Sequence, residues 1–122
     1  MIGYVTLGTN DLARSARFYD AVAAELGVGR MMDFDTFIAW GVPGGAPGIG
    51  LTRPFDGNSA TVGNGVMVAL AAKDEAQVQR IHEIALANGG TCEGPPGPRG
   101  EGFYAAYFRD PDGNKLNAFI GG

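Results

Sequence analysis

Two segments, residues 2–12 (IGYVTLGTNDL) and residues 65–75 (GVMVALAAKDE), share one pattern and decide the fold of this chain. In each segment an apolar, strand-forming run leads to an aspartate, Asp11 or Asp74, that precedes a helical pattern. The two aspartates lie 63 positions apart. Residues in the apolar runs and glycines after the helical patterns keep the same offset. This constant spacing indicates an internal repeat. The repeat predicts two similar halves packed together, with any function in the space that they enclose.

Each half is predicted to fold as a βαβββ unit. Asp11 and Asp74 suit helix N-termini, because an aspartate side chain accepts hydrogen bonds from the free N–H groups of the first turn. Glycines follow both helical patterns and end them. Residues 110–114 (DPDGN) predict a tight turn, whereas residues 94–102 (GPPGPRGEG) predict an irregular loop. The predicted strands cover residues 2–7, 29–34, 37–41, 48–54, 65–71, 91–93, 103–109 and 115–120.

The predicted class is therefore α+β, with both modules in one chain. We expect the first module over about residues 1–56, a polar linker over about 57–64 and the second module over about 65–122. One helix covers one face of a four-stranded sheet, so the other face is free to line a cavity. Alternation along the strands places Tyr4, Gly50, Met67 and Asn117 on the free faces. Sheets that meet edge to edge would gather these four positions around one cleft.

Composition excludes several classes of function. The 122 residues suffice for one domain with its own core, and the 18% of charged residues is ordinary for a globular chain. A net charge of −4 without a basic cluster argues against nucleic acid as a partner. No apolar run approaches the roughly 20 residues of a membrane span, and no signal peptide is predicted. The single cysteine favours a reducing, cytoplasmic location.

Three stretches give the chain a family resemblance. Residues 4–27 (YVTLGTNDLARSARFYDAVAAELG), 64–90 (NGVMVALAAKDEAQVQRIHEIALANGG) and 107–119 (YFRDPDGNKLNAF) resemble the vicinal-oxygen-chelate superfamily. This superfamily includes glyoxalase I, fosfomycin and bleomycin resistance proteins, and extradiol dioxygenases. The resemblance implies paired βαβββ modules that form a U-shaped cavity with the helices on the outer faces. It also implies a homodimer in many members.

The resemblance implies a divalent metal ion as well, but the matching positions lack its ligands. The ligand positions of the first, fourth, fifth and last strands fall on Tyr4, Gly50, Met67 and Asn117. Glycine has no donor atom, and a thioether suits soft Cu(I) rather than Mg, Mn, Fe, Ni or Zn. A phenol and a neutral amide bind divalent ions weakly on their own. We therefore expect no metal ion and no other cofactor.

The remaining reactive side chains do not predict a catalytic site. His82, the only histidine, is expected at the surface or half-buried on the second helix. Cys92 is expected to be a small packed side chain, because no histidine lies near it in the sequence. One helical histidine does not allow a Ser–His–Asp triad.

The expected cleft is lined by aromatic and neutral side chains, with Gly48, Gly50 and Ala69 leaving space. Such a lining is typical of a small-molecule site, and aromatic faces accept planar rings and cations. Trp40 and Phe55 are expected at its edge. The predicted ligand-binding residues are Tyr4, Thr6, Phe37, Met67, Tyr107 and Asn117.

Three functions remain open from the sequence. The first is a metal-free binding protein, similar to bleomycin-resistance proteins, that captures a small aromatic or cationic molecule. The second is a lyase or isomerase of the superfamily, similar to glyoxalase, acting without the usual metal, with Tyr4 or Tyr107 as its acid–base residue. The third is a non-catalytic relic with a filled cleft. The predicted partners are the small-molecule ligand and a second copy of the chain.

Overall fold

The repeat corresponds to two equivalent βαβββ modules in the computed structural model, which describes residues 1–122. The first module contains β1 (Tyr4–Gly8), α1 (Leu12–Glu25), β2 (Gly29–Asp33), β3 (Phe37–Gly41) and β4 (Gly48–Thr52). The second contains β5 (Val68–Ala71), α2 (Glu75–Ala87), β6 (Thr91–Pro98), β7 (Phe103–Arg109) and β8 (Lys115–Gly121). The strand orders are β1-β4-β3-β2 and β5-β8-β7-β6, with β1–β4 and β5–β8 parallel. The predicted α+β class and the repeat are confirmed.

Both helices begin where the sequence predicts. The carboxylate of Asp11 accepts a hydrogen bond from the Arg14 N–H at 3.1 Å, and that of Asp74 accepts one from the Gln77 N–H at 2.8 Å. Caps of this kind stabilise a helix by about 1 kcal/mol each. The Gln77 side chain also donates to the Glu25 carbonyl at 3.0 Å, so the start of α2 is bonded to the end of α1.

The two modules join through their helices. Each helix covers one face of its own sheet, and the helices also contact each other. The fully buried Phe18 of α1 and Phe108 of β7 have ring centroids 6.2 Å apart. One continuous hydrophobic core therefore extends from one module into the other through the helical layers.

The two sheets, by contrast, remain open. No strand of the first sheet contacts a strand of the second. A single chain therefore does not bring Tyr4, Gly50, Met67 and Asn117 around one cleft, as edge-to-edge sheets would have done. The physical reason is that α1 and α2 contact each other as well as their own sheets, which holds the modules together on the helical side.

The turn over residues 110–114 is a second connection between the modules. The buried carboxylate of Asp110 accepts hydrogen bonds from the N–H groups of Asp112 and Asn114 at 2.8 and 2.9 Å. It also accepts the Tyr19 hydroxyl of α1 at 2.6 Å, and Asn114 Nδ2 donates to the Gly8 carbonyl at 2.9 Å. A segment predicted only as a turn thus binds the end of β1 and the middle of α1.

Burial and charge fix the protonation states of this turn. Burial, followed by the charge and the hydrogen bond of Asp110, raises the pKa of Tyr19 well above its usual value. Burial alone would raise the pKa of Asp112, but hydrogen bonds from Asn10 and Ser15 outweigh it and lower that pKa. Tyr19 therefore donates as a neutral phenol, and Asp112 accepts as a carboxylate at neutral pH.

The prediction of an irregular loop over residues 94–102 is wrong for residues 94–98. β6 continues to Pro98 and pairs with β7, with register shifts between Cys92 and Gly94 and between Gly94 and Gly97. Prolines are accepted there because β6 is the outer strand, where an N–H is not needed for the sheet. The other elements match the predicted ones apart from their ends. Neither helix is long and apolar enough to cross a membrane.

Candidate functional site

The free face of the first sheet carries a pair of aromatic rings. Tyr4 on β1 and Phe37 on β3 meet edge to face, with centroids 6.3 Å apart, and 52% of Tyr4 is exposed. The Phe37 ring lies over Gly50, where an added Cβ would come within 2.7 Å of a ring carbon. The same Cβ would lie 3.3 Å from the methyl group of Thr6. Gly50 therefore does not leave open space, contrary to expectation, because Phe37 fills it.

The free face of the second sheet carries a buried amide. Asn117 on β8 pairs with Ala69 of β5 and Tyr107 of β7 and is only 2% exposed. Its neighbours along the strand are buried on the helical side, so Asn117 faces the other way. Its Oδ1 is buried and has no hydrogen-bond partner. An unpaired buried acceptor costs about 1–3 kcal/mol, so this amide needs an explanation beyond stability.

Two cations contact the ring of Tyr107 on this face. The Arg99 guanidinium carbon lies 5.6 Å from the ring centroid, and the Lys115 ammonium nitrogen lies 5.5 Å from it. Neither residue forms an ion pair. Sequence reasoning missed Arg99, because the predicted strand ended at residue 93 and left this arginine in a loop. Even a longer β6 would have placed Arg99 opposite Phe103, because Gly94 is the residue that pairs with Tyr107.

The predicted ligand-binding residues therefore form two groups. Tyr4, Thr6 and Phe37 lie on the first sheet, whereas Tyr107 and Asn117 lie on the second. Met67 is 40% exposed and precedes β5 directly.

The two aromatic residues expected at the edge of the cleft lie elsewhere. Trp40 packs on Tyr19 of α1, with ring centroids 5.3 Å apart, and donates its indole N–H to Asp20 at 2.8 Å. It is therefore on the helical side of the first sheet. Phe55 is fully exposed in the segment between the modules.

A histidine–cysteine pair lies away from these faces. His82 Nε2 on α2 lies 3.2 Å from the Sγ of Cys92 on β6. His82 is only 8% exposed, whereas Cys92 is exposed, so the expected packed thiol is wrong. Burial lowers the pKa of His82, so its imidazole is neutral at pH 7 and is a weaker base than a solvated histidine.

The side chains of both faces do not fit the divalent ion that the resemblance implies. The matching positions hold a phenol, a glycine, a thioether and an amide, and the Phe37 ring fills the place of the fourth-strand carboxylate. No three His, Cys, Asp or Glu side chains are grouped so that they could hold a metal ion. This chain's own donor set is therefore unsuited to that ion.

Comparison with known proteins identifies the family. The sequence profile of the Glyoxalase/Bleomycin resistance protein/Dioxygenase superfamily matches residues 1–118. A crystal structure of a glyoxalase/bleomycin resistance protein from Albidiferax ferrireducens T118 is 42% identical, with a TM-score of 0.89 and coverage of 98% of this chain and 97% of that one.

More distant structures share the fold. The lactoylglutathione lyase from Agrobacterium tumefaciens is 21% identical, with a TM-score of 0.71 and coverage of 98% of this chain and 92% of that chain. The fosfomycin resistance protein FosX from Mesorhizobium loti is 18% identical, with a TM-score of 0.71 and coverage of 100% and 92%. No curated protein is significantly similar in sequence. With its profile match over nearly the whole length, the chain belongs to the glyoxalase/bleomycin resistance protein/dioxygenase superfamily.

Proposed function

We propose that the protein binds a small molecule, without a resident metal ion, in a cavity formed between two copies of the chain. One wall is the free face of the first sheet in one copy, and the other is the free face of the second sheet in its partner. The observation that carries this proposal is the aromatic pair of Tyr4 and Phe37, because the Phe37 ring lies over Gly50 in place of a ligand side chain.

A second copy is proposed because one chain leaves apolar side chains uncovered. Tyr4, Val66 and Met67 are 52%, 52% and 40% exposed, and all lie in or beside β1 and β5. These two strands are outer strands of their sheets. Burying apolar surface gains about 25 cal/mol per Å², so a contact between these edges favours association. In such a dimer each free face is covered by a face of the other copy.

The side chains of the two faces suit a protein that binds its ligand without catalysing a reaction. Tyr4, Phe37 and Tyr107 supply flat apolar surface, and Asn117 supplies a neutral polar group. Stoichiometric binding requires no acid–base residue, and neither Tyr4, Phe37, Tyr107 nor Asn117 is a histidine or a carboxylate. This lining favours a binding protein over the enzyme of the same superfamily.

We expect the Phe37→Ala variant to lose ligand affinity. The probes are bleomycin, fosfomycin and S-benzylglutathione, each titrated calorimetrically into protein dialysed against EDTA. At least one should bind, and the variant should bind it on the order of ten times more weakly, because an aromatic contact contributes about 1 kcal/mol beyond its buried area. Phe55→Ala removes an exposed phenylalanine outside both faces and should bind like the wild type.

Three results would overturn the proposal. The first is that none of the probes binds, and the second is that binding requires an added divalent metal. The third is that the protein is a monomer in sedimentation equilibrium at the concentrations used for binding. If the chelated protein turned over the methylglyoxal–glutathione hemithioacetal, its function would be metal-free catalysis and not ligand capture.

A further inference from the structure

We propose that the ligand is an oxyanion, a small organic molecule with a carboxylate or phosphate-like group, and that Arg99 and Lys115 bind this group above Tyr107. The inference rests on the proposed function, because it specifies the chemistry of the same cavity. It assigns to the free face of the second sheet an anion subsite, which consists of Arg99, Lys115, Tyr107 and Asn117.

Arg99 is held in a fixed position. Its guanidinium donates to the carbonyls of Pro95, Gly97 and Pro98 at 2.6, 3.0 and 3.4 Å. These carbonyls belong to a proline-rich strand whose φ angles are restricted. A guanidinium has five N–H donors in a rigid fork, so donors remain for a ligand. A cation that is already ordered loses little entropy when it binds an anion.

The two cations also form no ion pair. Arg99 and Lys115 contact one ring, and neither pairs with a carboxylate, although the chain has a net charge of −4. The Glu93 carboxylate feels the charge of Lys115, but its ion-pair partner is Arg109. An oxyanion at this ring would be attracted by both cations, whereas a cationic ligand would be repelled by them.

Asn117 adds a polar contact beside the cations. It lies directly across from Tyr107 on the neighbouring strand, and its Oδ1 is buried without a partner. A ligand with an N–H or O–H next to its anionic group would satisfy this amide as it binds. The unpaired amide oxygen favours a ligand with a hydrogen-bond donor, and the unpaired cations favour a ligand with an anionic group.

The experiment compares three benzyl or phenyl compounds of similar size: phenylphosphonate, benzamide and benzylammonium. Affinities for the purified, chelated protein are measured by NMR titration at low ionic strength. Phenylphosphonate should bind most tightly, and Arg99→Gln and Lys115→Gln should each weaken its binding on the order of tenfold. Arg53→Gln is the matched control, because Arg53 is an exposed cation outside both the subsite and any ion pair.

The outcomes separate the subsite from the proposed function. Equal affinity for phenylphosphonate and benzamide, unchanged by Arg99→Gln, would overturn the anion subsite and leave small-molecule binding intact. Tightest binding of benzylammonium would also overturn it. Failure of all three compounds, together with failure of the larger probes used above, would overturn both proposals. A loss of phosphonate affinity in Arg53→Gln equal to that in Arg99→Gln would reduce the effect to net charge and overturn the subsite.

Discussion

Replacing Asp110 with alanine is expected to lower the free energy of unfolding by about 3 kcal/mol. The buried carboxylate accepts hydrogen bonds from the Asp112 and Asn114 N–H groups and from the Tyr19 hydroxyl. Alanine leaves all of these donors without that acceptor, and the Tyr19 and Asn114 donors are in a buried environment. The turn over residues 110–114 then loses its contact with α1. Urea denaturation, followed by circular dichroism and by the fluorescence of the single tryptophan, measures the change.

Asp35→Ala is the matched control for this substitution. It removes the same charge from an exposed residue that forms no ion pair, and should change stability by less than about 0.5 kcal/mol. Tyr19→Phe removes one hydrogen bond of the same cluster and should fall between the two. A loss of less than about 1 kcal/mol in Asp110→Ala would show that the turn does not hold the modules together.

Replacing Gly90 with alanine is expected to lower stability by about 3 kcal/mol as well. An added Cβ would come within 2.7 Å of the Ala85 and Arg109 carbonyl oxygens and 2.9 Å of a Phe18 ring carbon. Two of these three contacts are backbone atoms, which cannot rotate away. The methyl group would therefore separate α2 from β7 or displace the ring that joins the two modules. Thermal and urea unfolding both report the loss.

Gly29→Ala provides the comparison for Gly90→Ala. Gly29 lies at the start of β2, with no atom within 4 Å of an added Cβ and without a positive φ. Its substitution should be neutral or slightly stabilising, because alanine has less conformational freedom in the unfolded chain. Similar losses in both variants would mean that close packing at Gly90 does not cause the effect.

Local patterns predicted the elements of this fold well. Asp11 and Asp74 cap the two helices as expected, because capping depends only on residues within one turn. The 63-residue offset predicted both modules, since a repeat carries its own architecture. Alternation along the strands correctly placed Tyr4 and Asn117 on the free sides of their sheets.

Features that depend on tertiary contacts were not accessible from the sequence. The end of β6 was missed because prolines normally stop a strand, and only its outer position in the sheet accepts them. The contact between His82 and Cys92 depends on the rotation of α2 over the sheet, which no local pattern records. The packing of α1 on α2 was missed because an apolar helix stripe does not specify its partner. The two sheets of one chain therefore do not meet, although the sequence predicted that they meet edge to edge.

The prolines of β6 also affect how copies of this protein can aggregate. Pro95, Pro96 and Pro98 lack the N–H groups that a foreign strand would need at this border of the second sheet. The opposite border, β5 (VALA), contains neither proline nor charge. Fibre growth by continuous strand addition to a sheet needs two edge strands that can each pair with a strand of another copy. This sheet offers one, so strand addition at this sheet ends after a single junction.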